Sequence, residues 1–294
     1  EWILVDDRGT DGTIPLVRDL LATEKYRGLD ARIVTHDVNR GLSEARNTGV
    51  AAATGDFCYF MDSDDTITPH CISQHVDRLT TTGADFTCGD FAINGVAQRA
   101  IPAADAIPDK RELIRFFTSR TKLVSACNKL LPRKILLETP FLKGLIHEDE
   151  LWAIDFALKC NSCAFVAEAG YDYFMHEGSI THSVSNHRRR IESRDTISRL
   201  MLSRSYDPAN APYADLLSAR AMLGVLYGIH QLVLSSLPRA EKRRFYRRFR
   251  ETADAIAIPS QMKKVASLPY PLVSLAVRTR LLLVRAKLLL LKRR

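Results

Sequence analysis

The fold is indicated by residues 57–65, which read Phe57-Cys58-Tyr59-Phe60-Met61-Asp62-Ser63-Asp64-Asp65. The five apolar and aromatic residues predict a buried strand, and the polar residues after them, three of which are aspartates, predict a loop. In open α/β sheets, ligands bind beyond the carboxyl ends of the strands. Clustered carboxylates repel one another unless a cation or a donor-rich ligand is present. The stretch therefore predicts a ligand site at the edge of an α/β sheet.

Strands and helices alternate around this stretch. Further strands are predicted at residues 2–5, 31–35 and 86–88. One helix is predicted to begin at Ile14, and a second is predicted to have Ser43 as its N-cap and to run through Ala53. This alternation predicts an α/β fold with a mostly parallel sheet.

The composition and the charge distribution narrow the class of protein. The chain has 294 residues, of which 46% are apolar and 26% are charged, and this excludes a disordered or disulfide-stapled chain. Residues 1–187 contain 19 Lys/Arg and 27 Asp/Glu, whereas residues 188–294 contain 23 and 7. The acidic N-terminal part argues against nucleic acid as its ligand, and the basic C-terminal part favours a polyanionic surface near it. Six cysteines scattered through apolar stretches indicate a reducing cytoplasm.

The pattern divides the chain into four parts, at residues 1–100, 101–187, 188–258 and 259–294. The first part holds the alternating elements. The second is mixed, with helices predicted at 109–118 and 149–159 and a strand at 164–166. The third is helical, most clearly at 213–234 and 239–257. The fourth is a proline-containing linker followed by a basic amphipathic helix. Residues 221–238 are the longest uncharged stretch, and their polar side chains favour a buried helix over a membrane span.

Four motifs in one order carry a resemblance to a known family. They read Val5-Asp6-Asp7-Arg8-Gly9-Thr10-Asp11-Gly12, Asn39-Arg40-Gly41-Leu42-Ser43-Glu44-Ala45-Arg46-Asn47-Thr48-Gly49, Gly55-Asp56 and Asp62-Ser63-Asp64-Asp65. A downstream match reads Cys127-Asn128-Lys129-Leu130-Leu131-Pro132-Arg133, with His147-Glu148-Asp149-Glu150-Leu151-Trp152 after it. The chain resembles the family 2 glycosyltransferases, which are inverting nucleotide-sugar enzymes with a Rossmann-like GT-A fold. Because that family begins with a further strand, we expect the sequence before Glu1 to be truncated.

The resemblance implies a donor site in residues 1–100. It places Asp6 and Asp7 at the nucleobase, with Asp7 preferred, and it places Asn39 and Arg46 along the nucleotide. Asp62 and Ser63 would contact the ribose or the phosphates. Asp64 would be the primary ligand of Mn²⁺ or Mg²⁺ with Asp62 beside it, since these hard cations bind carboxylate and phosphate oxygens together. We also expect the Arg46 guanidinium to face a phosphate or the Asp62 cluster.

The resemblance places the chemistry in residues 101–187, the acceptor half. Asp149 stands where the family has its general base, which takes the proton of the acceptor hydroxyl. The alternative for Glu148 and Glu150 is a favourable interaction with a helix N-terminus. His176 follows an aromatic-rich segment and is a candidate third metal ligand or phosphate donor. The alternative is a surface histidine.

The basic C-terminal part, residues 188–294, supports two interpretations. Residues 272–294 pattern as a helix with one apolar stripe bordered by Lys and Arg, which is typical of a helix lying in an anionic membrane surface. The alternative is a helix that packs against a partner. Residues 239–250 interleave arginines with aromatics. We interpret them as one helix with a buried face containing Phe245 and Phe249 rather than as a nucleic-acid site.

The sequence thus predicts an inverting, metal-dependent glycosyltransferase that uses a nucleoside diphosphate sugar, with UDP preferred. The acceptor would be a saccharide or a lipid-linked hydroxyl compound in surface-polysaccharide or wall-polymer synthesis. The expected location is the cytoplasm, at the inner face of the cell membrane. The alternatives are a non-catalytic binding domain of the same fold and a membrane or polyanion adaptor. The sugar, the acceptor and the oligomeric state stay open.

Overall fold

The computed structural model describes residues 1–102, 104–119, 123–175 and 187–256. The strands are β1 (Trp2–Asp6), β2 (Ala31–Thr35), β3 (Phe57–Tyr59), β4 (Thr66–Ile67), β5 (Phe86–Ile93), β6 (Val96–Ala97), β7 (Ala106–Ile107), β8 (Lys129–Pro132) and β9 (Cys163–Tyr173). The helices are α1 (Thr13–Leu21), α2 (Leu42–Ala52), α3 (Cys71–Thr82), α4 (Lys110–Ser119), α5 (Arg133–Glu138), α6 (Glu148–Ala157), α7 (His187–Tyr206), α8 (Ala214–Leu234) and α9 (Arg239–Ala255). Short 3-10 helices lie at Glu24–Tyr26 and Pro208–Tyr213.

The strands form two sheets. β1 and β2 pair in parallel as a ribbon, and α1 lies between them in sequence. The larger sheet has the order β3-β8-β5-β9-β4, with β6 added to β5 and β7 added to β9. Because β3 and β4 flank the Asp62–Asp65 loop in sequence and lie at opposite ends of this order, the loop crosses the edge of the whole sheet.

The predicted α/β class with a helical C-terminal region is confirmed, but the mostly parallel arrangement is wrong for the larger sheet. Only β5 and β9 pair in parallel there, while β8 runs antiparallel to both β3 and β5. The reason is β8, a four-residue apolar strand that is too short to show a period and was not predicted. It inserts between the two strands that the parallel arrangement requires to be neighbours.

The core runs from the sheet into the C-terminal helices. Phe86, Phe156 and Trp152 belong to one continuous cluster that also contains Leu226 of α8 and Phe249 of α9. α9 buries Phe245 and Phe249 completely, which confirms its predicted aromatic face. At Gly228 of α8 the Phe249 ring packs so closely that a methyl group would overlap it. The helical region is therefore packed onto the sheet as part of the same core.

Two sequence-based expectations concern the environment of the chain. Within the described residues, Pro208–Leu234 is the one helical segment long and apolar enough to cross a bilayer, and 72% of its most apolar window is buried in the protein. The six cysteines are all free thiols. The predicted amphipathic helix at 272–294 and the histidine at 176 lie outside the described residues.

Candidate active site

The Asp62–Asp65 loop is fixed by the end of β9. The Tyr171 hydroxyl accepts a hydrogen bond from the Asp62 backbone N–H at 3.2 Å and donates one to the Asp65 carboxylate. Asp65 also accepts the Phe174 N–H at 2.9 Å. Burial raises the pKa of Asp65 above its usual range despite these two donors. Asp65 is thus the structural anchor of the loop, and Ser63 and Asp64 are left exposed at the sheet edge.

Arg46 joins the two motif regions. It projects from α2 and is 9% exposed. One guanidinium nitrogen lies 2.7 Å from the Glu148 carboxylate and the other lies 3.1 Å from Asp62. The guanidinium also stands over the Phe141 ring, 5.3 Å from its centroid. The prediction that Arg46 faces the Asp62 cluster is confirmed, and the same side chain places that cluster beside the first turn of α6.

The first turn of α6 carries three consecutive acids. Burial raises the pKa of Asp149, and the neighbouring Glu150 raises it further. Burial and Asp149 likewise raise the pKa of Glu148. Burial also acts on Glu150, but Arg194 and Arg220 outweigh it and lower the pKa of that carboxyl to about 2. Three adjacent acids therefore have different proton affinities, and Asp149 is one of the two with the higher affinity.

A second cluster lies at the end of β1. Both Asp7 carboxylate oxygens are engaged, one by the Arg40 N–H and the His36 ring and the other by the Gly41 N–H, each at 2.7 Å. Burial alone would raise the pKa of Asp7, but these donors lower it below its usual range. Asn39 donates to the Asp7 carbonyl at 2.9 Å. Asp7 thus fixes the loop before α2.

Asp6 differs from its neighbour. One of its carboxylate oxygens accepts the Arg8 N–H at 3.0 Å, in a turn characteristic of aspartate. The half-buried side chain lies at the end of β1, on the same strand end as Asp7. Of the two acids, Asp6 has the greater capacity to accept a donor from a ligand.

Sequence analysis missed His36, and it quoted Asn128 and Lys129 in the downstream motif without assigning either a role. His36 is 4% exposed and bridges Asp7 to the Thr48 hydroxyl, which is 2.8 Å from its second nitrogen. Asn128, in a left-handed conformation (φ 59°), donates to the Asp90 carbonyl at 2.7 Å. Lys129 is buried, and its ammonium donates to the Ser125 carbonyl at 2.5 Å. The one sequence feature that could have indicated His36 is its position directly after the predicted strand at residues 31–35, since its partners lie elsewhere in the sequence.

One predicted cap was wrong. The Ser43 hydroxyl donates to the Leu142 carbonyl at 3.0 Å instead of capping α2. Gly41, with φ 90°, occupies the N-cap position, a backbone conformation that glycine adopts without strain. Ser43 therefore ties α2 to the loop before α6.

The carboxylates at the sheet edge fit a hard divalent cation. Mg²⁺ and Mn²⁺ in nucleotide sites are held by one or two protein carboxylates and complete their shell with phosphate oxygens and water. Asp64 is exposed, and Asp62 is 32% exposed while it shares one oxygen with Arg46. In the part of the chain that the structure describes, no group of three His, Cys, Asp or Glu side chains could enclose a metal.

The sequence was compared with protein-family models and with characterised proteins. Residues 1–139 match the family model described as Glycosyl transferase family 2. The succinoglycan biosynthesis protein ExoO of Rhizobium meliloti is 28% identical over 193 residues, which cover 62% of this chain and 54% of that protein. The cholesterol galactosyltransferase of Borreliella burgdorferi is 25% identical over 201 residues, which cover 63% of this chain and 54% of that protein. The chain thus spans about half the length of these curated relatives.

Solved structures share the fold. S. aureus TarS superposes with a TM-score of 0.68 at 18% identity, covering 94% of this chain and 78% of that one. Its complex with UDP-GlcNAc superposes with a TM-score of 0.63 at 19% identity, covering 88% and 73%. These similarities establish a GT-A-like fold.

Proposed function

We infer that this chain is a family 2 glycosyltransferase, since its residues 1–139 match that family's model, and we propose that it transfers a sugar from a nucleoside diphosphate sugar to an acceptor hydroxyl. The observation that carries the proposal is the Arg46 bridge between Asp62 and Glu148. It sets the exposed carboxylates of the sheet edge next to the first turn of α6. A diphosphate held at the edge would then have its sugar close to Asp149.

The donor would bind along the ends of β1 and β3. We assign the nucleobase to Asp6 rather than Asp7, since both Asp7 oxygens already accept bonds from within the chain. A carboxylate oxygen of Asp6 would accept an imide N–H, the donor that uracil presents. Asn39 lies on the loop that Asp7 orders, and exposed Ser63 would face the ribose or the phosphates.

Asp64, with Asp62 beside it, would hold Mn²⁺ or Mg²⁺ together with the diphosphate. When bound, such a cation stabilises the negative charge of a departing diphosphate. Arg46 would keep Asp62 oriented and would add a fixed positive charge at the same edge. His176 is a further candidate ligand that the described residues do not include.

Asp149 would act as general base in a single, inverting displacement. One base is sufficient for that reaction, because the acceptor oxygen attacks the anomeric carbon directly as its proton leaves. A raised carboxyl pKa makes the Asp149 carboxylate a stronger base than an exposed aspartate.

We further propose a lipid-linked or polysaccharide acceptor at an anionic membrane surface. α9 exposes Arg239, Arg243, Arg247 and Arg250, which recur at helical spacing opposite its buried phenylalanines. Two relatives, a succinoglycan biosynthesis protein and a cholesterol galactosyltransferase, are named for a polysaccharide and a lipid acceptor. Co-sedimentation with phosphatidylglycerol vesicles tests this location. Equal sedimentation with neutral phosphatidylcholine vesicles would contradict it.

Calorimetric titration of UDP with and without Mn²⁺ tests the donor site. We expect Mn²⁺ to strengthen UDP binding to the wild-type chain and Asp64→Asn to remove at least about tenfold of that gain, since it loses a charged ligand. Asp77→Asn, an exposed acid on α3, is the matched control. Binding that is indifferent to Mn²⁺ in the wild-type chain would contradict the metal assignment.

Replacement of the proposed base tests the chemistry. We expect Asp149→Asn to lower turnover of UDP-sugars by roughly 10²–10⁴-fold while UDP affinity is kept. Asp155→Asn, on the same helix, is the control and should retain turnover. An unchanged rate in Asp149→Asn would remove Asp149 from the mechanism and favour a non-catalytic binding domain.

A further inference from the structure

A buried charge cluster adjoins the proposed base. The Glu150 carboxylate accepts hydrogen bonds from both terminal nitrogens of Arg194, at 2.5 and 2.8 Å, and from one nitrogen of Arg220, at 2.6 Å. The exposures of the Glu150, Arg194 and Arg220 side chains are 12%, 9% and 5%. Arg194 lies on α7 and Arg220 lies on α8, so the helical region reaches into the first turn of α6.

The cluster holds more positive charge than Glu150 neutralises. One carboxylate faces two guanidinium groups, and burying an ion costs several kcal/mol unless it is compensated. Burial, together with the neighbouring Arg194, lowers the pKa of Arg220 although Glu150 opposes this shift. Burying the second arginine therefore costs free energy unless a second negative charge lies near it. The adjacent anion is Asp149, whose charge acts on both Arg194 and Arg220.

The charged and titratable groups around Asp149 in the described part of the chain enter this balance. They are Glu148 and Glu150 on α6, His147 before it, Arg46 on α2, Arg190 and Arg194 on α7, and Arg220 and Tyr227 on α8. Arg46 also acts on Asp149, but it bonds directly to two other carboxylates, those of Glu148 and Asp62. The excess positive charge of the Glu150 cluster is left to compensate Asp149.

We propose that Arg194 and Arg220 are positioning residues that clamp Glu150 and keep Asp149 ionised, so that the C-terminal helices form part of the catalytic site. The inference rests on the proposed role of Asp149 as the base. It assigns no contact with substrate to either arginine. It also explains why these cations are buried rather than exposed like those of α9.

The same two helices supply a matched control. Arg204 of α7 binds Asp155 of α6 through two nitrogens, at 3.0 and 2.9 Å. Asp155 lies six residues beyond Asp149, about 9 Å along the helix axis. This ion pair also joins α6 to α7, but it is partly exposed and remote from the base. Arg204→Met therefore tests what loss of an α6–α7 ion pair does by itself.

The test is the pH dependence of kcat/KM for UDP release from UDP-glucose, UDP-galactose and UDP-N-acetylglucosamine. We expect Arg220→Met to move the acidic limb up by about one pH unit, because it removes a positive charge near the base. Glu150→Gln should move the limb down, because it removes a negative charge. Arg220→Lys should keep the wild-type limb, and so should Arg204→Met.

Opposite shifts in Arg220→Met and Glu150→Gln support the inference, because a purely structural clamp would lower the rate without moving the limb. Unmoved limbs, or limbs that move in the same direction, would overturn it. Retained UDP binding and a cooperative thermal transition establish that each variant is folded. Should Arg220→Met fail to fold, Glu150→Gln and Arg220→Lys decide the outcome.

A second measurement separates this inference from the proposed function. Absence of UDP release and of transfer in the wild-type chain would count against the enzyme function only. The Asp149 carboxyl can then be titrated directly by ¹³C NMR, with its signal assigned by loss in Asp149→Asn. The same opposite shifts in the variants would support the charge balance, and their absence would refute it.

Discussion

Replacing Arg46 with methionine removes the side chain that joins Asp62, at the sheet edge, to Glu148, in the first turn of α6. Methionine fills a similar volume and still packs on the Phe141 ring, so the main loss is the positive charge. Two carboxylates then lack their partner. Asp62 is 32% exposed and can be hydrated, whereas Glu148 is 8% exposed and cannot.

The magnitude follows from the buried acid. Leaving one ion of a buried pair uncompensated costs about 3–5 kcal/mol. The folded variant can limit this cost by protonating Glu148, whose ordinary pKa is 4.5. At 1.36 kcal/mol per pH unit, protonation costs about 3 kcal/mol at pH 7 and about 1 kcal/mol at pH 5. We therefore expect Arg46→Met to lose about 3 kcal/mol of unfolding free energy at pH 7.

The sign of the pH dependence is fixed by the same argument. In the folded variant the pKa of Glu148 lies above its unfolded value, so the folded state binds the proton more tightly. Stability is therefore greatest below the unfolded pKa and is lost as the pH rises through the folded one. The difference from wild type should shrink to about 1 kcal/mol near pH 5.

Urea unfolding followed by circular dichroism at both pH values measures this difference. Arg204→Met, which breaks a partly exposed pair, should cost at most about 1 kcal/mol at either pH. The double variant with Glu148→Gln should recover most of the loss at pH 7, because the buried charge is gone. Equal losses at pH 5 and pH 7, or no recovery in the double variant, would show that the buried charge of Glu148 is not the cause of the lost stability.

Two further predictions concern the scaffold. Gly228→Ala should destabilise by about 1–2 kcal/mol net, because overlap with the Phe249 ring exceeds the gain in helix propensity, whereas Gly28→Ala, with open space around it, should be near neutral by thermal unfolding. Burial lowers the pKa of His75 from 6.5 to about 4, so the folded state disfavours its proton and stability falls as the pH drops below 6.5. The free energy of unfolding should fall by about 3 kcal/mol between pH 6.5 and pH 4, and this fall should be absent from the His75→Gln variant. If the urea midpoints of wild type and variant fall equally with pH, His75 is not the cause.

Sequence patterns predicted those parts of the molecule whose signals are local. The strands at residues 2–5, 31–35 and 57–61 are largely apolar runs, each directly preceded by an acidic residue, and each has its counterpart in β1, β2 or β3. Asp149 was expected in the first turn of a helix and lies there. A run of apolar residues or a cluster of acids needs no distant partner to be recognised.

What the sequence did not indicate depends on distant partners. Arg194 and Arg220 lie 44 and 70 residues from Glu150. Arg194 lies in a charge-rich helix and resembles a solvated surface cation, whereas Arg220 lies in an apolar helix, and neither local pattern indicates Glu150 as a partner. The family resemblance placed Asp7 at the nucleobase, and its position at the strand end favoured it over Asp6, whereas the fold provides three internal donors for its carboxylate. Which polar groups are satisfied internally is a property of the tertiary structure.

The anchoring of the carboxylate loop also has a consequence for biosynthesis. Tyr171 and Asp65 are 106 residues apart, and Arg46 and Glu148 are 102 apart. At about 5–20 residues per second, a ribosome needs roughly 5–20 s to make the second member of each pair after the first. During this interval the acidic loop has neither Tyr171 nor Glu148 to order it. The donor site therefore forms late in synthesis. A nascent chain released after residue 65 but before residue 171 contains every predicted donor-site aspartate without their final arrangement.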